Sequence, residues 1–314
     1  MLKLLGKRLL TAIPLFFGVT FIVFWLISLN PATAATSLAG DQATPDQIAA
    51  LNVQLGLDRP LWDRYWGWLS NISHGDFGNA ITLGFQPVTD VLLSRVAVTI
   101  SLVVGAIVLS VVVGMALGIA AAMRPTSLVD RAVLGVSVLG ISLPQFWIGL
   151  LLVVWLSVQL GWLPAVGYTP ITEGVLPWAS HILLPVIALS IQPACEIARQ
   201  LRGSLVDVLS SDYILAARAR GTPTLPLVCK HALKNAAAPV ATITGFRLAQ
   251  LPGTAVVVEG VFALNGLGSV VTRAALTSDT AVVLGVVVLT LVFVLIVNLL
   301  VDLSYGYLNP RVRT

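Results

Sequence analysis

Charge is what this sequence has least of. Lys, Arg, Asp and Glu together make up 10% of its 314 residues, whereas hydrophobic residues make up 57%. Soluble domains carry about 25% charged residues, so the composition excludes an ordinary soluble globular protein. The length is better counted in membrane spans of about 20 apolar residues. The net charge of +4 indicates no nucleic-acid partner, because the basic residues flank apolar stretches instead of forming one patch.

Residues and motifs that carry chemistry are also few. The two cysteines, Cys195 and Cys229, lack Cys-x-x-Cys spacing, which argues against a disulfide framework and a metal site. The histidines, His74, His181 and His231, are scattered, and we interpret each as a loop or interface residue. The sequence has no phosphate-binding glycine loop followed by lysine, no G-x-S-x-G and no H-E-x-x-H. These absences predict a non-catalytic chain that binds no cofactor or metal itself.

Long apolar stretches are what the sequence does contain, and six of them predict transmembrane helices. The first is too long for the apolar core of a signal peptide and lacks a convincing cleavage site, so we expect it to be retained. Pro144 interrupts the third stretch, Pro185 and Pro193 the fourth, and Pro252-Gly253 the fifth. The predicted spans are residues 9–29, 96–123, 132–160, 181–201, 236–262 and 281–303. This pattern predicts an all-α integral membrane protein.

Polar segments divide the chain around these spans. Residues 30–95 follow the first segment, 1–29, and precede the membrane core, 96–303; residues 304–314 form a tail. Within 30–95, Thr44-Pro45-Asp46 predicts the start of one short helix, and Pro60 the start of another that carries four aromatic residues, Trp62, Tyr65, Trp66 and Trp68. Because Trp and Tyr prefer the headgroup level, these helices are expected either to lie against the outer membrane face or to pack as a small subdomain with an aromatic core.

The distribution of Lys and Arg predicts the orientation. With six spans and the N-terminus inside, the inner segments hold thirteen Lys and Arg and the outer segments hold four. Cytoplasmic loops carry the excess of Lys and Arg in membrane proteins. We therefore expect both termini and the polar loop 204–235 to be cytoplasmic, and segment 30–95 to be outside.

Two charged residues fall within the fifth predicted span. Arg247 lies near its middle and Glu259 near its outer end, and a charge at the bilayer centre costs roughly 2.5–3.5 kcal/mol on insertion scales. One interpretation is that Arg247 and Glu259, together with Pro144 and Gln145 of the third span, face a polar translocation pathway. The alternative is structural: Arg247 pairs with Glu196 of the fourth span, and Glu259 extends to the membrane surface.

The segment Tyr213–Pro239 is basic, contains no acidic residue and has signals for local structure. Residues 210–212 offer caps for a short helix that Gly221 can end, since glycine accepts a left-handed conformation. Thr222 is expected to cap a second helix, with Pro223 in its first turn. Ala217 and Gly221 are one helical turn apart, which suggests a flat face that a partner can approach closely. The alternative is a solvated connector.

Several motifs in chain order resemble those of one family. Tyr213–Pro239 resembles the cytoplasmic coupling loop of permeases in bacterial ATP-binding cassette importers. Further stretches resemble the peptide/nickel permease family, and specifically the first of its two permeases: Gly56-Leu57-Asp58-Arg59-Pro60-Leu61, Gly75-Asp76-Phe77-Gly78, Ser142-Leu143-Pro144-Gln145-Phe146-Trp147, Leu163-Pro164-Ala165, Glu259-Gly260-Val261-Phe262, Gly266-Leu267-Gly268 and Asn309-Pro310-Arg311.

The resemblance implies a type I importer permease fold, with an outer helical segment after span one and a coupling helix between spans four and five. It also implies a location in the bacterial inner membrane. The implied substrate is a peptide, with nickel or another small solute as the alternative. The implied partners are a second permease, an outer substrate-binding protein, and two ATPase subunits that bind ATP and magnesium. Membrane lipid surrounds such a subunit. The residues it assigns to ATPase coupling are Tyr213, Ala216, Ala217, Arg218, Ala219, Gly221, His231, Leu233, Asn235 and Pro239.

The sequence departs from the family pattern at four places. Leu215 replaces a glutamate and Lys234 a proline in the coupling loop, Asn30-Pro31-Ala32 replaces a Pro-Gly-Asp-Pro motif, and Asn309 replaces an aspartate of the tail. Two functions of other classes remain open on the residues alone, a self-sufficient secondary carrier and a membrane scaffold protein. Transport by the isolated chain would favour the carrier, and the absence of substrate-dependent ATP turnover in any complex would favour the scaffold.

Overall fold

The computed structural model describes residues 2–29, 34–40 and 42–308. The Asn30-Pro31-Ala32 and Asn309-Pro310-Arg311 motifs lie outside the described residues. Most of the described chain is helical, which confirms the predicted all-α class. The helices are α1 (Leu2–Ser28), α2 (Ala34–Ala39), α3 (Pro45–Gln54), α4 (Leu61–Ser73), α5 (Val88–Ala122), α6 (Leu128–Ser142), α7 (Gln145–Leu152), α8 (Val175–Leu209), α9 (Asp212–Ala219), α10 (Thr224–Pro226), α11 (Leu233–Val261), α12 (Leu267–Leu276) and α13 (Thr280–Leu308).

Shorter elements connect some of these helices. A π-helical segment, Val153–Gln159, continues α7, and a second, Leu227–Ala232, joins α10 to α11. The strands β1 (Asn79–Ala80) and β2 (Gln86–Pro87) pair antiparallel. The chain forms two compact units: unit A contains residues 100–264 and 296–308, and unit B contains residues 2–99 and 265–295.

Four described helical segments are long and apolar enough to cross a membrane: Leu10–Ser28, Val88–Ala122, Val175–Leu209 and Thr280–Val301. The pair Leu128–Ser142 and Gln145–Gln159, bent by 101°, would be a fifth if it counts as one span. The fifth predicted span falls in α11, which has 29 residues but is not among those that qualify, since Arg247 and Glu259 reduce its apolar character. The count of six spans therefore stays a prediction.

The predicted proline interruptions are correct at one position and wrong at the others. Leu143 adopts an extended backbone (ψ 133°) immediately before Pro144, as the steric restriction on a residue before proline requires. By contrast, Pro185 and Pro193 lie inside α8, and Pro252 lies inside α11. A long apolar helix tolerates proline where packing by neighbouring helices compensates for the lost backbone hydrogen bond. The chain thus bends by 101° at Pro144, whereas α8 and α11 continue as helices through their prolines.

Unit B contains the aromatic residues of segment 30–95. Tyr65 of α4 is buried, and its hydroxyl lies 2.9 Å from Thr20 Oγ1 and donates to the carbonyl of Phe17, both on α1. The Phe21 and Trp62 rings stack at 4.7 Å between centroids. An aromatic cluster therefore forms around Tyr65, with rings of α1 as partners, whereas Trp62 and Trp66 remain exposed. The two predicted helix starts are confirmed, because Thr44 and Gln47 form a capping box at α3 and α4 follows Pro60.

A buried carboxylate organises the other end of unit B. Asp279 is fully buried, and its Oδ2 accepts from the Thr82 backbone N–H at 2.9 Å and from the Thr82 hydroxyl at 3.0 Å. Val88 and Val282 pack in the same apolar cluster as Ala80. These contacts hold the β-ribbon and the start of α13 together.

Unit A is built on α8, which packs against α6, α7 and α11. It also lies close to α5 through glycines: a Cβ at Gly114 would lie 2.7 Å from the Ala194 carbonyl oxygen, and one at Gly118 would lie 2.9 Å from that of Ala198. Small residues allow such close approach between membrane helices. Gly114 and Gly118, four residues apart on α5, thus permit the close contact with α8.

Candidate functional site

The two predicted short helices are present, with shifted boundaries, from the end of α8 to the first turn of α11. We call this segment, residues 210–235, the hairpin. Helix α8 extends to Leu209 and α11 begins at Leu233, so both are longer than the predicted spans, and the loop 204–235 includes their ends. Gly221 follows α9 with a φ of +82°, and its N–H donates to the Arg218 carbonyl at 2.9 Å. The predicted glycine stop is confirmed at this position. The predicted Thr222 cap is wrong: α10 begins at Thr224, Pro223 occupies the cap position, and no side chain caps it.

One face of α9 packs against the protein's own core. Ile214 and Ala217 are buried, in a cluster with Leu205 of α8, Leu227, and Ala236 of α11. Ala217 therefore does not offer its side chain to a partner, and the predicted shared face with Gly221 is wrong. Helical spacing defines which residues share a face, whereas contacts from distant segments decide which side of the helix is covered.

The opposite face of α9 is the exposed one. Leu215, Ala216 and Ala219 are all exposed, and at 100° per residue they lie across the helix from Ile214 and Ala217. Leu215 keeps 48% of its surface exposed, although contact of an apolar side chain with water is energetically unfavourable. Two alanines beside a leucine give a low, apolar surface, which we call the α9 outer face.

A hydrogen bond joins the two ends of the hairpin. Asn235 Nδ2 donates to the Tyr213 hydroxyl at 2.6 Å, so the first turn of α9 is tied to the first turn of α11. Both residues are exposed, as are Arg218, His231 and Pro239, whereas Leu233 is half-buried. Of the ten residues assigned to ATPase coupling, Ala217 alone is buried. The others are within or beside the exposed part of one hairpin.

Arg247, near the middle of the fifth predicted span, has a charged partner. The guanidinium of Arg247 donates through Nε and Nη2 to the two carboxylate oxygens of Glu196 on α8. Its Nη1 donates to Gln250 Oε1 at 2.9 Å. The predicted pairing of Arg247 with Glu196 is therefore confirmed. Bidentate geometry makes this the stronger kind of ion pair.

The remaining pathway candidates lie in different surroundings. Gln145, in the first turn of α7, donates to Gln192 Oε1 at 3.3 Å, and Pro144 beside it is exposed. Glu259 is 0% exposed, so the expectation that it extends to the membrane surface is wrong. It is enclosed by the packing around α11, where its carbonyl accepts from the Leu264 N–H at 2.8 Å.

A second ion pair was missed by sequence reasoning. Arg202 Nε and Nη2 donate to the two oxygens of Asp130 at 2.9 and 2.7 Å, and Thr126 N–H donates to Asp130 at 2.8 Å. This pair joins the start of α6 to α8 a few residues before the hairpin. The signal available in the sequence was the presence of opposite charges beside two spans on the same predicted side of the membrane.

Comparison with known proteins gives the family. Residues 114–314 match the family described as binding-protein-dependent transport system inner membrane component, and residues 1–103 match its N-terminal family. The chain belongs to this family. Its members are transport permeases of the inner membrane that work with ATPases and substrate-binding proteins, so the chain is a multi-pass membrane subunit of an ATP-binding cassette importer.

Relatives of known description match along almost the whole chain. A probable peptide ABC transporter permease protein of Sinorhizobium fredii is 39% identical over 307 residues, covering 98% of each chain. The glutathione transport system permease protein of Escherichia coli K12 is 38% identical over 313 residues, covering 100% of this chain and 99% of the relative. These matches confirm the resemblance found in the motifs.

A solved structure of similar fold is a chain of the MetNI methionine ABC transporter in an inward-facing conformation. It matches with a TM-score of 0.58 at 19% identity, over 70% of this chain and 97% of that chain. At this identity the likeness concerns the fold alone. It confirms the predicted importer permease fold.

Proposed function

We propose that this chain forms half of an import pathway for peptides and couples to ATPase subunits through the α9 outer face. The proposed assembly contains a second permease, two cytoplasmic ATPases that bind ATP and magnesium, and a substrate-binding protein outside. Peptides are favoured over nickel or another small solute because relatives that match the full length are described as peptide and glutathione permeases.

The observation that carries the coupling role is the division of α9 into two faces. Ile214 and Ala217 anchor the helix in the core, while Leu215, Ala216 and Ala219 remain uncovered. A short helix presenting a low apolar face suits a groove on a partner, the helix-in-groove mode of recognition. The neighbouring Arg218, Arg220 and Lys234 are exposed and give the contact a basic rim.

The packing of α9 provides a route for transmitting motion. The buried cluster joins α9 to α8 and α11, and the Tyr213–Asn235 hydrogen bond joins α9 to α11 again. A displacement of α9 by a closing ATPase dimer therefore moves the cytoplasmic ends of α8 and α11 with it. The same two helices hold Glu196 and Arg247. In this scheme the helices have two arrangements, and binding of ATP and of substrate changes the relative populations of the two.

The proposed function is tested by uptake. Deleting the gene is expected to reduce uptake of labelled dipeptides, oligopeptides or glutathione, and restoring it is expected to recover that uptake. The purified complex should contain the two ATPases and show ATP hydrolysis stimulated by the loaded binding protein. If peptide uptake is unchanged while nickel or another solute is lost, the peptide assignment is wrong. Transport by the isolated chain driven by an ion gradient would instead identify a secondary carrier.

A further inference from the structure

The exposed side chains of α5 and α11 in unit A differ in kind. On α5 the exposed positions one turn apart are Ile100, Val104, Val108 and Val112, all aliphatic and suited to lipid. On α11 the corresponding exposed positions are Thr242, Phe246, Gln250 and Thr254. Lipid tails offer no hydrogen-bonding partner to an amide side chain. The surface of α11 around Gln250 is therefore unsuited to lipid.

Polar side chains form a connected strip at this level of unit A. Gln145 on α7 bonds to Gln192 on α8, at 3.3 Å. Gln192 and Glu196 are four residues apart, so they share one face of α8. Glu196 pairs with Arg247 on α11, and Arg247 bonds to Gln250 at 2.9 Å. The strip thus runs over three helices, each in a predicted span, and helical spacing links Gln192 to Glu196 within α8.

The strip is reachable from the surface of the chain. The side chains of Arg247 and Glu196 are 20% and 10% exposed, Gln145 and Gln192 are half-buried, and Gln250 is exposed. Ionisable residues at this depth in membrane proteins face a bundle interior or a water-filled cavity. Arg247 is the middle residue of α11, fourteen residues from either end of Leu233–Val261.

The chemistry of the strip matches the parts that all peptides share. Arg247 can bind a carboxylate, Glu196 can bind an ammonium group, and each glutamine amide can both donate to and accept from a peptide backbone. None of these groups selects a particular substrate side chain. A site of this composition therefore accepts short peptides of many sequences, whose two ends lie close together, but it requires both charged ends to be free.

We infer that the strip Gln145–Gln192–Glu196–Arg247–Gln250 is a peptide-contact site within the import pathway, in which Arg247 binds the carboxylate terminus and Glu196 the amino terminus. The inference rests on the proposed function, since it takes peptides as the substrate. The Glu196–Arg247 ion pair opens to admit the substrate, and two ion pairs with the peptide replace it. When the peptide leaves, the internal pair forms again, so each charge has a partner before import and after it.

Access to the strip is tested by thiol labelling that does not depend on transport. The complete transporter is prepared with Cys195 and Cys229 replaced by serine and a single cysteine introduced as Gln250→Cys. A charged, water-soluble methanethiosulfonate is expected to label this cysteine, and peptide supplied with the binding protein and ATP is expected to slow the labelling. The matched control, Val108→Cys on the aliphatic face of α5, should stay unlabelled. Absence of labelling at position 250, or labelling that peptide does not change, would overturn the inference.

The roles of the two charges are tested with blocked peptides in proteoliposomes. Wild-type transporter is expected to import a free peptide at least about tenfold faster than its N-acetylated or C-amidated form, because each block removes one charge-assisted contact. The double variant Glu196→Gln with Arg247→Gln leaves no unpaired charge and should lose this preference. The control pair, Asp130→Asn with Arg202→Gln, removes a comparable ion pair from α8 outside the strip and should keep it.

The outcomes separate the two proposals. If wild type and the Glu196/Arg247 variant show the same preference, or if free and blocked peptides are imported alike by wild type, the peptide-contact site is wrong while peptide import stands. If wild type imports no peptide at all, the proposed function is wrong and the site falls with it. Should the double variant not assemble, the labelling of Gln250→Cys decides the matter.

Discussion

Gly221 and Ala217 illustrate how differently two small residues of one turn are constrained. Gly221 has a φ of +82°, and a Cβ added to it would meet no atom within 4 Å. Its constraint is therefore conformational. Ala217 has ordinary helical geometry, but it is buried in a cluster with Leu205 and Leu227. Its constraint is the space around it, and the two residues therefore call for different substitutions.

Gly221→Val is expected to weaken the hairpin, whereas Gly221→Asn should preserve it. A left-handed conformation costs an ordinary L-residue about 1–2 kcal/mol, and asparagine tolerates it better. Because space is open around Gly221, neither substitution should clash. The measurement is substrate-stimulated ATP hydrolysis and ATPase stoichiometry of the purified complex. Equal coupled turnover for Gly221→Val and wild type would show that the turn is not needed for docking.

Ala216→Trp and Ala217→Trp are expected to fail in different ways. At the exposed Ala216 the large ring should block the partner groove while the chain still folds and inserts. At the buried Ala217 the same ring overpacks the core, at a cost of about 1–3 kcal/mol or more. Yield and thermal unfolding of the detergent-solubilised chain distinguish the two, and pull-down of the ATPases completes the comparison. Normal ATPase binding by Ala216→Trp would contradict the α9 outer face as the docking surface.

At the scale of elements, α8 is the helix on which unit A depends. It packs on α6, α7 and α11, approaches α5 at Gly114 and Gly118, and pairs its Glu196 and Arg202 with residues of α11 and α6. The two ion pairs therefore join α8 to separate helices. A change that moves α8 is expected to alter both the strip and the hairpin.

Gly114→Ala is expected to separate α5 from α8 and to destabilise the protein by roughly 1–3 kcal/mol, the usual range for overpacking. The added Cβ would lie 2.7 Å from a backbone oxygen, which no side-chain rotation relieves. The matched control is Gly135→Ala in α6, where nothing lies within 4 Å, and it should be neutral or slightly stabilising because alanine favours helix. Thermal unfolding in detergent gives the comparison, and equal melting temperatures would refute the close contact.

At the scale of the whole molecule, orientation follows from the asymmetry of Lys and Arg. A single cysteine at Ser73, in a background without Cys195 and Cys229, is expected to react with an impermeant maleimide on cells whose outer barrier is opened. A single cysteine at Thr224 is expected to react only after the inner membrane is permeabilised. Both positions are exposed, so burial does not bias the result. The reverse labelling pattern would reject a cytoplasmic hairpin.

Features that depend on neighbouring residues could be predicted from the amino-acid sequence. Apolar stretches specify helices of membrane length, Thr44 and Gln47 specify a capping box, Gly221 specifies a left-handed turn, and Pro144 specifies a break. The family followed from motifs in chain order. Each of these depends on covalent geometry, on a hydrogen bond within one turn or on a local run of residues, so no distant contact was needed to predict them.

Contacts between distant segments select one of several local possibilities, and these contacts are seen only in the folded chain. Helices α8 and α11 continue through Pro185, Pro193 and Pro252, whereas the chain bends at Pro144. Ala217 is covered while Ala216 is free, and Arg247 meets Glu196 from 51 residues away. The physical reason is that burial and ion pairing depend on which segments pack together, and helical spacing defines a face without saying what covers it.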